Sequence, residues 1–258
     1  MKNLEDHKKI AILIDADNTQ CKKLKVILEE LNAHGHVITK RAYGDWSSDY
    51  LKNWKSSLNE LAIQPIQQFS YTSGKNATDA SMIIDAMDLL YSKKYDAFAL
   101  VSSDSDFTRL AARIREEELF VFGVGGQKTP LAFRNACDDF IFIENLKGDE
   151  LAAAGPAAAD AEHKPAGQEK LKDIQSLVSF LNKAWEQYQD DEGWVNIAAV
   201  GNFLKRVKPD FDPRSYGYQK IPQIVEKLGD DFEMTKYPGK GTVSIIAYRP
   251  KHAKSRAV

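Results

Sequence analysis

An α/β fold on a mostly parallel sheet, followed by a small winged helix, is the architecture this 258-residue sequence predicts. Three observations predict it. Through the first part of the chain, short apolar runs rich in branched residues alternate with amphipathic helical patterns, the mark of βαβ units. From Asp149 to Gln168 the composition changes: no large apolar residue follows Leu151, and two prolines interrupt an alanine-rich run. Beyond it, three helical patterns precede two strands that flank a Pro-Gly turn, the order of a winged helix.

The first apolar run, Ile10 to Ile14, is too short to cross a bilayer and reads as a strand buried on both faces. It ends in Asp15, Ala16, Asp17 and Asn18, at the edge where parallel sheets bind ligands. A helix is predicted from Lys22 to Gly35, on the spacing of Leu24, Ile27, Leu28 and Leu31. A strand from Val37 to Tyr43 follows, then a helix over Tyr50–Leu61. A third strand spans Ile63–Tyr71, with Pro65 suiting it to a sheet edge. The clearest helical pattern is Asp79–Tyr91, with Met82, Ala86 and Leu89 inside and Asp85 and Asp88 on its solvated face. Strand Ala97–Val101 runs into Ser102-Ser103-Asp104-Ser105-Asp106. Helix Phe107–Glu118, strand Leu119–Val124, helix Pro130–Cys137 and strand Phe140–Ile143 complete six strands. After the predicted linker, helices span Leu171–Tyr188, Val195–Val207 and Ile221–Leu228, with strands Phe232–Thr235 and Val243–Tyr248 around the turn at Tyr237–Gly241.

Composition narrows the class. A hydrophobic fraction of 43% supports a packed core, and nothing approaches the roughly 20 apolar residues of a membrane span. Met1–Lys9 carries no apolar run of a signal peptide. Cys21 and Cys137 lack metal-type spacing and read as reduced thiols, so a cytoplasmic location is expected. The five histidines show no ligand spacing that connects them to the carboxylates. From Glu169 onward there are fifteen Lys+Arg against twelve Asp+Glu, and before it twenty against twenty-five. An acidic front and a mildly basic tail suit a metal-using module joined to a nucleic-acid reader.

The predicted topology brings carboxylates together. Asp15 and Asp17 follow the first strand, and Asp104 and Asp106 follow the strand ending at Val101. Asp79 opens the helix after the Gly74-Lys75-Asn76 loop, at the same sheet edge. Clustered carboxylates raise one another's pKa unless a cation is present, and an all-oxygen site suits Mg²⁺ or Mn²⁺. Taken singly, Asp17, Asp79 and Asp106 also read as helix N-caps.

These residues carry a resemblance. Ile-Leu-Ile-Asp-Ala-Asp-Asn at 12–18, Gly-Lys-Asn-Ala-Thr-Asp at 74–79 and Val-Ser-Ser-Asp-Ser-Asp-Phe at 101–107 resemble the three motifs of NYN domains, PIN-like nucleases that include the bacterial LabA-like branch. The resemblance covers about the first 146 residues. It implies a Rossmann-like (PIN-like) three-layer sheet and metal-dependent RNA cleavage. By the matched positions, Asp15, Asp79, Asp104 and Asp106 are the catalytic and metal-site residues, and Asn18 orients metal or phosphate. A rival pattern is Asp15-Ala-Asp17-Asn-Thr19, which also fits the Asp-x-Asp-x-Thr motif of haloacid-dehalogenase-type phosphatases, with Asp15 as nucleophile. Ser103-Asp104-Ser105-Asp106 is a poor version of that family's late motif, and Asp79 has no role in it.

In the tail, Arg214, Tyr216, Tyr218 and Lys220 surround Gly217 and offer cations and aromatic faces together, a surface for phosphates and unstacked bases. The tyrosines also read as core residues. Residues Leu171–Pro250 resemble the OST-HTH (LOTUS) winged helix, a module linked to RNA or protein binding. Lys205, Arg206, Lys208, Arg214, Tyr216, Tyr218 and Lys220 are the candidate RNA contacts, followed by Lys236 and Lys240.

The expected organisation is therefore a nuclease domain over 1–148, a flexible linker over 149–169, a winged helix over 170–250 and a basic tail over 251–258. The expected activity is Mg²⁺- or Mn²⁺-dependent endoribonucleolytic hydrolysis in the bacterial cytoplasm, without a covalent intermediate. The alternative is an RNA-binding regulator that does not cut. RNA is the expected partner, with a protein partner as a second use of the winged helix.

Overall fold

The first strand, β1 (Lys9–Asp15), is the hub of the sheet. It pairs in parallel with β2 (His36–Gly44) on one side and β4 (Ala97–Val101) on the other. Outside β2 lies β3 (Gln64–Gln67), and outside β4 lie β5 (Phe120–Gly125) and β6 (Asp139–Phe142). The order β3-β2-β1-β4-β5-β6 is parallel throughout. Every strand-to-helix connection therefore leaves from one edge. The order reverses between β1 and β4, and ligands of doubly wound sheets bind in the crevice outside that switch point.

The structure, a computed structural model, describes residues 8–69, 77–146, 167–238 and 244–251, with backbone only at 167–173 and 244. The chain divides into two units, residues 1–155 and 156–258.

Side chains of the first unit alternate across the sheet and make it three-layered. Ile10, Ile12 and Ile14 pack with α1 (Leu24–His34) and α2 (Trp54–Glu60) through Leu24, Ile27, Leu31 and Trp54. Ala11 and Leu13 belong to the opposite cluster, with α3 (Ala77–Tyr91), α4 (Thr108–Glu116) and α5 (Leu131–Ala136). Residues 10–14 and 97–101 are all fully buried, which explains why they read as continuous apolar runs. Each such Ile, Leu or Phe contributes about 1.5–3 kcal/mol by burial.

The third strand is shorter than the predicted Ile63–Tyr71 and ends at Gln67. It pairs with β2 alone, Pro65 opposite Ala42, so the missing N–H of Pro65 costs no second ladder. Residues 70–76, including the Gly74-Lys75-Asn76 loop, lie outside the described residues.

The second unit runs α6 (Gly167–Tyr188), β7 (Val195–Asn196), α7 (Ile197–Val207), a 3-10 turn at Pro213–Tyr216, α8 (Ile221–Lys227), β8 (Phe232–Pro238) and β9 (Ser244–Pro250). Its antiparallel sheet has the order β7-β9-β8. Together these elements form a winged helix. The helix predicted from Val195 begins instead at Ile197. Val195 and Asn196 pair with Tyr248 and Ala247, and the Asn196 carboxamide oxygen caps α7 by accepting from the Ala198 N–H at 2.9 Å. Helix α6 starts inside the stretch predicted as linker, because Gln168, Glu169 and Lys170 are good helix formers. The rest of that linker, the hairpin tip with Lys240 and the tail beyond 251 lie outside the described residues. Among the described residues, no helix is long and apolar enough to cross a membrane.

Candidate metal centre

Asp15 ends β1 at the switch point and is fully buried. Its Oδ1 accepts from the backbone N–H groups of Asp17 (3.1 Å) and Asn18 (3.3 Å). Its Oδ2 accepts from Asn18 Nδ2 (2.8 Å) and Ser102 Oγ (2.7 Å). A carboxylate offers about four acceptor positions, and four protein donors fill them here. Burial pushes the Asp15 carboxyl up, while the bonds from Ser102 and Asn18 pull it back down. No oxygen faces solvent for the nucleophilic role that a phosphatase assigns to Asp15.

Ser102 joins the two central strands. The register sets Ile14 opposite Val101, so the next residues, Asp15 and Ser102, meet at the sheet edge. The Ser102 hydroxyl donates to Asp15 and accepts from the Asp104 N–H at 3.0 Å. Ser102 stands within the 101–107 motif but carries no predicted role among the candidate site residues. Its position directly after a buried strand was the available signal.

Asp104 caps the 3-10 turn Ser105–Phe107, its Oδ1 accepting from the Asp106 N–H at 3.0 Å. Asp79 stands in the first turn of α3. Carboxylate oxygens of Asp79, Asp104 and Asp106 lie within 4.8 Å of one another. Asp15 and Asp17 lie outside this group, yet their charges reach it. The Asp79 carboxyl is pushed up to about 6, by burial first and then by Asp15, Asp104, Asp106 and Asp17. Three carboxylates at this spacing repel unless a proton or a cation intervenes. The all-oxygen donor set fits a hard divalent cation.

A second polar group holds α3 in place. Arg41 and Tyr43 of β2 both donate to the Asp85 carboxylate. Burial pushes the Tyr43 phenol up. By its helical spacing, Asp85 is predicted on a solvated face. It is turned inward because α3 lies over β2, whereas Asp88 is exposed as expected. Asp85 follows Asp79 by six residues, about 1.7 turns of the same helix, so anchoring α3 also positions Asp79.

In the second unit, several predicted RNA contacts are already engaged. Arg206 donates to the Tyr188 hydroxyl, Lys208 pairs with Asp210 at 3.4 Å, and Arg214 Nε lies 2.9 Å from Asp212. Tyr216 is buried in the core against Phe211, so it offers no face to a base. Tyr218 is half-buried on the same core. Gly217, at φ +85°, turns the chain between them. Lys205, Lys220 and Lys236 are exposed. The Arg214–Asp212 pair is partly buried, and the same carboxylate accepts from the Arg214 N–H at 2.8 Å, so this arginine is held by its own turn.

A doubly wound parallel sheet with carboxylates at its switch point, joined to a winged helix, defines an acidic-site α/β protein with a second recognition module. Residues 9–144 match the NYN domain, and residues 169–244 match the OST-HTH/LOTUS domain. The first match spans more than half of the chain, which belongs to the NYN domain family and carries an OST-HTH/LOTUS domain after it. At family level this pairing supports a nuclease-like domain with an RNA-binding module. No curated protein matches the chain. A protein of unknown function from Vibrio parahaemolyticus is similar at 21% identity, over 54% of this chain and 94% of that one, with a TM-score of 0.47. An uncharacterized protein from Nitrosomonas europaea is similar at 29% identity over 43% of this chain and 99% of that one, TM-score 0.28. A protein segment from Chromobacterium violaceum is similar at 31% identity over 30% of this chain and 82% of that one, TM-score 0.26.

Proposed function

We propose that the chain is an endoribonuclease dependent on Mg²⁺ or Mn²⁺, whose NYN domain cuts RNA and whose OST-HTH domain holds it. The observation that carries this reading is the gathering of Asp79, Asp104 and Asp106 oxygens within 4.8 Å at the switch point of a nuclease-like fold. These three residues would hold the cation. When bound, it would supply activation of water and stabilisation of charge on a phosphodiester. Asp15 acts behind them: through Ser102 it fixes the Asp104 loop, and its charge adds to the pull on a cation. Asn18 orients Asp15. The winged helix raises the local concentration of RNA by tethering.

A circular RNA tests the proposal, because it has no ends for an exonuclease. Metal-stripped protein is expected to leave the circle intact and to linearise it once Mg²⁺ or Mn²⁺ is added. Linearisation in excess EDTA would overturn the metal dependence. An intact circle under all conditions, with RNA still bound, would favour the regulator instead.

A further inference from the structure

We propose that the NYN domain carries its own track for single-stranded RNA, formed by Tyr50 with Lys22, Lys23 and Lys55 at the sheet edge that holds the carboxylates. This inference rests on the proposed nuclease reading and names how its substrate is seated.

An acidic centre repels a polyanion, so cations must flank it if RNA is to approach. Lys22 and Lys23 lie in the connection from β1 to α1, and Lys55 lies in the first turn of α2, after the connection from β2. Both connections leave from the edge where β1 ends in Asp15. Helix α2 packs against the Cys21–Lys23 turn, so the two elements that carry these lysines are neighbours. None of these three lysines has a carboxylate partner among the described residues.

The loop from β2 to α2 is rigidly built. Asp45 accepts from the Ser47 N–H (3.2 Å) and from Gln67 Nε2 (2.9 Å). The Trp46 N–H donates to Gln67 Oε1 (3.0 Å) and its indole to the Ile66 carbonyl (2.9 Å). Leu51 and Trp54 are buried, and the Trp46 and Trp54 rings meet edge-on at 5.8 Å. On this fixed frame Tyr50 is 93% exposed. A single exposed apolar side chain is ordinary. A large aromatic on a hydrogen-bonded loop, at the same sheet edge as lysines without carboxylate partners among the described residues and as the carboxylates, can serve as a stacking platform for a base whose phosphates the lysines meet.

The test uses the full-length protein and a labelled single-stranded RNA of mixed sequence containing 4-thiouridine. The winged helix is intact in every variant and cancels from the comparison. Tyr50→Ala is expected to raise KM about ten-fold with kcat little changed, and Tyr50→Phe to restore KM, since stacking needs only the ring. The double variant Lys22→Ala/Lys23→Ala is expected to lower the salt dependence of binding by about 1.4 in log–log slope, near 0.7 per phosphate contact. Irradiation is expected to cross-link RNA to the peptide containing Tyr50. Unchanged KM in Tyr50→Ala, with no cross-link there, would overturn the track and leave the nuclease reading standing. A cross-link at Tyr50 without cleavage by wild type would support the track and sink the nuclease reading.

Discussion

Asp104→Asn is expected to lower the rate of RNA cleavage by about a hundred- to ten-thousand-fold while RNA affinity stays within about two-fold. The substitution separates two jobs of one side chain. As a cap, Asp104 accepts from the Asp106 N–H, and asparagine caps as well as aspartate does. As a cation holder, it supplies negative charge to the group with Asp79 and Asp106, and asparagine supplies none. The fold should therefore survive, which an unchanged melting temperature checks. Affinity should survive because the winged helix still binds. Single-turnover cleavage of labelled RNA, with binding measured by anisotropy, reads both halves. Full activity in Asp104→Asn would remove the site assignment.

Asp85→Ala is expected to destabilise the first unit by about 2–4 kcal/mol, lowering its melting temperature by roughly 5–15 °C. Two donors lose their acceptor at once. Tyr43 is fully buried, and Arg41 already has a buried Nε without a partner among the described residues. Partial exposure of the Arg41–Asp85 pair, 25% and 22%, keeps the loss below that of a fully buried pair. Cleavage should fall further than stability alone explains, because α3 carries Asp79. Calorimetry checks the first effect, and activity measured well below the transition checks the second. A melting temperature within about a degree of wild type would show that the group anchors nothing.

Much of the fold was readable because the burial pattern is simple. Ile10–Ile14 and Ala97–Val101 are covered on both faces, so they stand out as unbroken apolar runs. Strand β7 was hidden because two residues, Val195 and Asn196, carry too little alternation to stand apart from the helical spacing of Ile197, Val200 and Leu204 that follows directly. Convergence of the carboxylates was readable from topology alone: parallel strands send all their following loops to one edge. What spacing could not reveal was how each carboxylate is occupied. Asp15 was expected to ligate, but its acceptor positions are filled by Asp17, Asn18 and Ser102, two of them backbone donors. Asp85 was misread because its partners sit on β2, some forty residues earlier. Tyr216 is a core residue because it packs on Phe211 from the 3-10 turn, a contact that spacing along the chain does not reveal.

On the proposed reading, Asp79, Asp104 and Asp106 together hold a divalent cation. The most direct test is a titration of metal-stripped full-length protein with Mn²⁺, following the loss of the free-ion signal by electron paramagnetic resonance. Wild type is expected to bind near pH 7.5 and to bind at least about ten-fold more weakly near pH 5, where a proton occupies Asp79 and must be displaced. The double variant Asp79→Asn/Asp104→Asn is expected to lose binding. Mn²⁺ affinity equal to that of wild type in the double variant would contradict the account.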